Sequence, residues 1–224
     1  IDTVELDVAL APTATRIVSR LAVRPNPAYR GKDKALRLDG ENIELVEVKL
    51  AGRVLAKGET KLADDSLTIG KPPAGPFTLE ITTVCDPEAN KALSGLYRTR
   101  GIYCTQCEAQ GFRRITYFLD RPDVLAAYTV RLEADAAETP VLLANGNPVK
   151  SGKLKGGRHF AVWHDPHKKP AYLFAMVGGK LGCVTDSFTT MSGRKVELAI
   201  YVEPGKEDRC GWAMDSLQRS MRWD

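Results

Sequence analysis

Cysteine is scarce and odd in number: Cys85, Cys104, Cys107, Cys183 and Cys210 are the five that 224 residues contain. So sparse a set excludes a disulfide-built scaffold and favours a reducing compartment, which makes a cytoplasmic location the expectation. Charge of one sign is also lacking. Lys and Arg number 32 against 28 Asp and Glu, leaving +4. The cations are scattered apart from small clusters at residues 150–158 and 168–169, without the dense basic footprint of a nucleic-acid-binding protein. No apolar stretch is long enough to cross a bilayer as a helix, residues 172–179 being among the longest, so no membrane association is expected. Ile1 opens directly on a strand-like pattern, with no basic, apolar and cleavable leader ahead of it. Several catalytic signatures are missing as well: there is no G-x-S-x-G elbow, no H-E-x-x-H helix and no glycine-rich phosphate loop. By its own residues the chain carries no complete catalytic set.

What is present is alternation. Val4, Leu6, Val8 and Leu10 recur at period two, as do Ile17, Leu21 and Val23, then Val46, Val48 and Leu50, then Phe77, Leu79 and Ile81. The same period returns at Tyr128, Val130 and Leu132, at Phe160 and Val162, across residues 172–177, and at Val196, Leu198, Ile200 and Val202. This predicts half-buried strands almost throughout. Turn signals at Pro25-Asn26-Pro27, Asp39-Gly40, Pro72-Pro73 and Asn145-Gly146-Asn147-Pro148 are spaced for antiparallel sheets, so a mostly β sandwich is the expected architecture. Gly156-Gly157 and Gly178-Gly179 read as turns. The second pair is placed as a boundary, giving a β-domain at residues 1–179 and a separate segment at 180–224. Only the end departs from β. Cys210, Ala213, Met214, Leu217 and Met221 recur at three and four, the mark of an amphipathic helix. Its apolar stripe reaches Asp224 without a capping Gly or Pro, which predicts a domain that continues.

The segment of residues 103–114 is the least regular and the richest in polar groups. Cys104 and Cys107 form a C-x-x-C pair that could bind zinc if His159, His164 and His167 completed it, but a structural zinc wants four ligands and there is no second C-x-x-C. The plainer reading is two small, partly buried hydrophobes. His164 and His167 flank Pro166, which argues against a helix and predicts a surface loop. Gln106 and Glu108 stand two apart, so in an extended segment they face one side and form an acceptor-rich patch suited to a protonated amine. An exposed Gln and Glu that are merely solvated remain the alternative at this point.

The run Gly95-Leu96-Tyr97, Thr105-Gln106-Cys107-Glu108-Ala109, Gly111-Phe112-Arg113, Ile115-Thr116-Tyr117 and Leu119-Asp120-Arg121-Pro122-Asp123 closely resembles the bacterial aminopeptidase N family. Further matches in the same order include Asn145-Gly146-Asn147, Gly157-Arg158-His159, Tyr172-Leu173-Phe174-Ala175, Phe188-Thr189-Thr190 and Ser192-Gly193-Arg194. The resemblance implies a saddle-like β-sandwich N-terminal domain at 1–179, then the first strands and helix of a thermolysin-like catalytic domain at 180–224. It implies that Gln106 and Glu108, as the family's Q-x-E element, bind the α-amino group of peptide substrates with a free N-terminus. It also implies zinc in the intact enzyme and none bound by this chain. H-E-x-x-H, a further zinc-binding Glu, G-x-M-E-N and a transition-state Tyr are expected beyond Asp224, so the chain alone should be inactive. A monomer is expected. The rival reading is a stand-alone β-sandwich binding module with no enzymatic role. Two departures bear on substrate preference near the amine site: Gln110 where relatives often carry Glu, and the basic loop Arg98-Thr99-Arg100-Gly101.

Overall fold

The computed structural model describes residues 1–31 and 34–223. The predicted run of the last helix to Asp224 therefore falls outside the described residues at its final position. The first strands are β1 (Thr3–Ala9), β2 (Thr15–Val23), β3 (Leu36–Asp39), β4 (Glu44–Leu50), β5 (Arg53–Val54) and β6 (Thr60–Ala63). Next come β7 (Ser66–Ile69), β8 (Phe77–Cys85), β9 (Gly95–Thr99), β10 (Ile102–Gln106), β11 (Leu125–Asp135) and β12 (Val141–Ala144). The remainder are β13 (Asn147–Lys153), β14 (Arg158–Pro170), β15 (Met176–Gly179), β16 (Gly182–Thr189), β17 (Lys195–Val202) and a helix, α1 (Gly211–Trp223). The fold is mostly β, as the alternation predicts. It divides into two compact units, Ile1–Gly179 and Lys180–Asp224.

In the first unit an eight-stranded sheet runs β13-β14-β11-β1-β2-β8-β4-β5, accompanied by a four-stranded sheet β12-β15-β10-β9 and a three-stranded sheet β3-β7-β6. Side chains alternate across a strand, and the burial follows: Val4, Leu6 and Val8 of β1 are buried while Thr3 and Glu5 are exposed. Tyr128, Val130 and Leu132 of β11 and Ile17 and Leu21 of β2 join the same layer. One hydrophobic cluster also takes Leu38, Leu67 and Ile69 from the three-stranded sheet and Leu96, Tyr103, Leu142 and Met176 from the four-stranded one. Sheet therefore packs on sheet, and each fully buried Leu, Ile or Val contributes about 1.5–3 kcal/mol. The opposite face of the large sheet is laced by cross-strand ion pairs, Arg20 with Glu80 at 2.7 Å and Arg131 with Asp7 at 2.9 Å. Such pairs add at most about 1 kcal/mol each, but they fit the observed register.

Four expectations need correction. The sheets are not wholly antiparallel, because β1 pairs with β11 in parallel, Val4 opposite Tyr128. Gly178 and Gly179 are not a turn: they are buried strand residues opposite Leu142 and Val141. A Cβ on Gly178 would come within 3.0 Å of Thr139 Cγ2 and 3.1 Å of Leu10 Cδ1, so close sheet packing is what demands glycine there. Residues 164–167 are not a loop but part of β14, with Pro166 at the register shift between Ala126 and Tyr128, where a missing N–H is tolerated. Finally, residues 171–173 form a single 3-10 turn ahead of β15 and not a strand.

The second unit is a hairpin, β16 against β17 with Gly182 opposite Val202, followed by a 3-10 turn at Glu207–Cys210 and then α1. Of the predicted helical stripe, Cys210 and Met214 are buried, Leu217 and Met221 are half-buried, and Ala213 is exposed.

Candidate functional site

The site begins with β10, which is held on both sides. Its residues 102–106 pair with β9, Gln106 opposite Gly95, and Tyr103 and Cys104 pair with Gly178 and Val177 of β15. Thr105 adds side-chain bonds at the strand's end: its Oγ1 accepts from Met176 N at 2.9 Å and donates to Met176 O at 3.3 Å. The strand stops at Gln106, and residues 108–111 turn, with Gly111 N donating to Cys107 O at 2.7 Å. The Glu108–Ala109 peptide bond is cis.

Burial alternates sharply through this turn. Gln106, Glu108, Ala109 and Gln110 are exposed, whereas Cys107 and Phe112 are buried at 2% and 0%. The two buried side chains act as pegs. Phe112 is edge-on to Phe118 at 4.9 Å and to Phe174 at 5.1 Å, within an aromatic cluster that includes Tyr128. The turn is closed so tightly that a Cβ on Gly111 would lie 2.3 Å from Gln106 O and 2.9 Å from Cys107 Cα. Opposite it, a Cβ on Gly95 would lie 2.5 Å from Arg114 Cβ, and the φ of Gly95 is +73°. Two glycines thus permit the backbone of residues 95 and 106–111 to close to van der Waals distance.

Sequence reasoning expects Gln106 and Glu108 to face one way because the chain is extended. The structure has both exposed, but by another route: Gln106 ends a strand, Glu108 opens a turn, and Gln106 Nε2 donates to the Glu108 carbonyl at 3.3 Å. With the amide's donor end engaged, its oxygen is the end left to accept. Two adjacent arginines could repel a cation here, but both are neutralised. Arg113 bonds Asp120, with Nε to Oδ2 at 3.0 Å, and Arg114 pairs with Glu41. Within residues 106–111 Glu108 is the one charged side chain, and it is exposed.

Neither thiol of the C-x-x-C pair is placed to favour the thiolate. Burial pushes the Cys107 thiol up to about 12, with the Asp120 charge adding to it, and burial also raises Cys104. Both side chains stay protonated at neutral pH, as inert thiols do. The histidines lie elsewhere, His159 Nε2 at 2.7 Å from Thr139 O and His164 Nδ1 at 2.9 Å from Thr129 Oγ1. Among the described residues no three of His, Cys, Asp and Glu gather as a metal site, so these residues do not fit a zinc ion. Gly95, Thr105, Gly111 and Asp120 lie in the run that carries the resemblance, but sequence reasoning gave them no role. The close approach of Gly95 to Arg114 and the bond of Thr105 to Met176 exist only in the folded chain, and no period marks them.

The family described as Peptidase M1 N-terminal domain matches residues 5–173. The chain is 52% identical over 224 residues to aminopeptidase N of Caulobacter vibrioides, covering 100% of this chain and 25% of that protein. It is 47% identical over 203 residues to aminopeptidase N of Escherichia coli, covering 91% of this chain and 23% of that protein. The crystal structure of Legionella pneumophila aminopeptidase A in complex with aspartic acid superposes with a TM-score of 0.93 at 36% identity, over 100% of this chain and 26% of that one. An M1 zinc metallopeptidase of Deinococcus radiodurans, at 17% identity and a TM-score of 0.75 over 92% of this chain and 48% of that one, shares the fold. The chain spans about a quarter of the length of the bacterial relatives it matches.

Proposed function

Because this chain belongs to the M1 peptidase family, whose N-terminal domain it carries, we propose that it is the amine-anchoring part of a zinc aminopeptidase that removes N-terminal residues from peptides. Residues 1–179 are the N-terminal domain of that enzyme and 180–224 open its thermolysin-like catalytic domain. Identity of 52% that runs through all 224 residues, past the β-rich first unit, favours this over a stand-alone binding module. The enzyme acts as a monomer in the cytoplasm, and for the compartment, though not for the monomer, the five free thiols are the support.

The observation that carries the proposal is a carboxylate and an amide oxygen left in solvent on a turn whose neighbours, Cys107 and Phe112, are buried. An ammonium that leaves water needs acceptors to replace its hydration, and one of them should be charged. Glu108 supplies the charge, and Gln106 supplies a neutral acceptor oriented by its own bond to the Glu108 carbonyl. Fixing the ammonium fixes the register of the peptide, so that only the first peptide bond reaches the reacting centre. Zinc, held by residues outside this chain, supplies Lewis-acid chemistry to the intact enzyme. The residues described here bind and orient.

Two measurements test the reading. The isolated chain should show no turnover of an aminoacyl chromogenic substrate. The full-length protein should hydrolyse peptides with a free N-terminus and lose that activity when the same peptides are N-acetylated. Equal rates on free and acetylated peptides would remove the amine anchor from the account.

A further inference from the structure

Resting on the amine-anchor reading, we propose that Asp120 is the positioning residue of that anchor, acting through Arg113 to hold the exit of the turn at residues 106–111.

The two ends of the turn are secured by different means. Its entry is strand β10, tied by ladder hydrogen bonds to β9 and β15 and by Thr105 to Met176. Its exit is one 3-10 turn, Phe112–Arg114, with no side-chain cap. The bonds within the turn are internal, Gly111 N to Cys107 O and Gln106 Nε2 to Glu108 O, and on their own would let it rock as a unit. Asp120 prevents this. Its Oδ2 accepts from Arg113 N at 3.2 Å and from Arg113 Nε at 3.0 Å, while its backbone oxygen accepts from Arg113 Nη2 at 3.2 Å. Asp120 is itself held, because its N–H donates to Asp39 Oδ2 at 3.3 Å, and Arg113 Nη2 also lies 3.8 Å from that oxygen. A second tie runs from Glu41 N to Arg113 O at 3.0 Å. The loop after β3 and the segment before β11 are thereby fastened to the residue that follows Phe112.

Burial makes the arrangement stiff. Asp120 is 2% exposed, and a carboxylate withdrawn from water is tolerable only with its charge partner and hydrogen bonds in place, so the guanidinium has little freedom to move away. Arg113 offers a planar fork to side chain and backbone of one residue at once, which a lysine cannot do. Displacing the exit would displace Glu108, three residues before Gly111, and misplacement by about 1 Å can cost on the order of 100-fold in a positioned reaction.

The test uses the full-length enzyme and two inhibitors that differ only in the ammonium: an amino-acid hydroxamate and its des-amino analogue. The ratio of the des-amino analogue's inhibition constant to the hydroxamate's reads amine recognition and is unmoved by a uniform loss of active enzyme. Asp120→Asn keeps the shape and an acceptor for Arg113 N while removing the charge. It should lower that ratio by about tenfold or more. Glu108→Ala, measured beside it, should also collapse the ratio. A ratio unchanged in Asp120→Asn but collapsed in Glu108→Ala would overturn the positioning role and leave the anchor standing. A ratio unchanged in Glu108→Ala would overturn both. If Asp120→Asn does not fold, Arg113→Lys is read the same way, since it keeps a cation beside Asp39 and Asp120 but loses the fork.

Discussion

Two glycine-bearing turns of the first unit show how differently the same residue type can be used. At Gly156-Gly157, between β13 and β14, φ is +70° and +73° and a Cβ would meet nothing within 4 Å. There glycine is needed only because the backbone enters the left-handed region. At Gly111 the missing Cβ makes room for neighbouring backbone, 2.3 Å from Gln106 O. One turn reverses the chain in open solvent. The other is packed against its surroundings and presents Gln106 and Glu108. A turn that must hold a charge in place is built from buried pegs and close backbone contact, whereas a connecting turn needs only permitted dihedrals.

That contrast can be broken or sharpened by substitution. The largest effect is expected at Gly111→Ala, which drives a Cβ into backbone atoms that cannot swing aside. It should destabilise the chain by about 3–5 kcal/mol in urea unfolding, and a loss under 1 kcal/mol would mean that the turn is slack. Next comes Glu108→Ala in the full-length enzyme, expected to lower kcat/KM for free-amine peptides by an amount equivalent to about 2–5 kcal/mol. Unlike Gly111→Ala, it should leave stability within about 0.5 kcal/mol, as befits an exposed side chain. Gly157→Ala should cost about 1–2 kcal/mol from its dihedral alone and leave the inhibitor ratio untouched. The smallest effect is a labelling difference. Exposed Cys183 should react first with a thiol reagent, while Cys107, 2% exposed and with its thiol pushed up by burial, stays unreacted in the native chain. Early labelling of Cys107 at neutral pH would show that the packed turn opens.

The features readable from sequence are those set by local periodicity. Val4, Leu6 and Val8 announce β1 because one face of the strand is buried and the other is not, and the three- and four-residue spacing of Cys210, Met214, Leu217 and Met221 announces α1 in the same way. The exposure of Gln106 and Glu108 follows from their polarity, although their proximity is produced by a turn and not by an extended strand. Gly178-Gly179 misleads because glycine marks turns by its dihedral freedom, yet here it is selected by the approach of Leu10, Thr139 and Ile102 from distant parts of the chain. Pro166 misleads for a related reason: it interrupts a strand only where the ladder is already out of register. Asp120 is seven residues from Arg113, two turns apart on a helix, but the chain between them is irregular after the 3-10 turn that ends at Arg114, so only the folded chain brings the two side chains together.

The parallel pairing of β1 with β11 has a temporal consequence. Thr3 meets Ala127, 124 residues later, although its other neighbour, Ala22, comes within the first hairpin. At about 5–20 residues per second, synthesis leaves roughly 6–25 s between the emergence of the two partners. Throughout that interval the nascent sheet has an open flank in the very strand that ends at its middle, available to the wrong neighbour. Closure by so remote a strand is intrinsically slow.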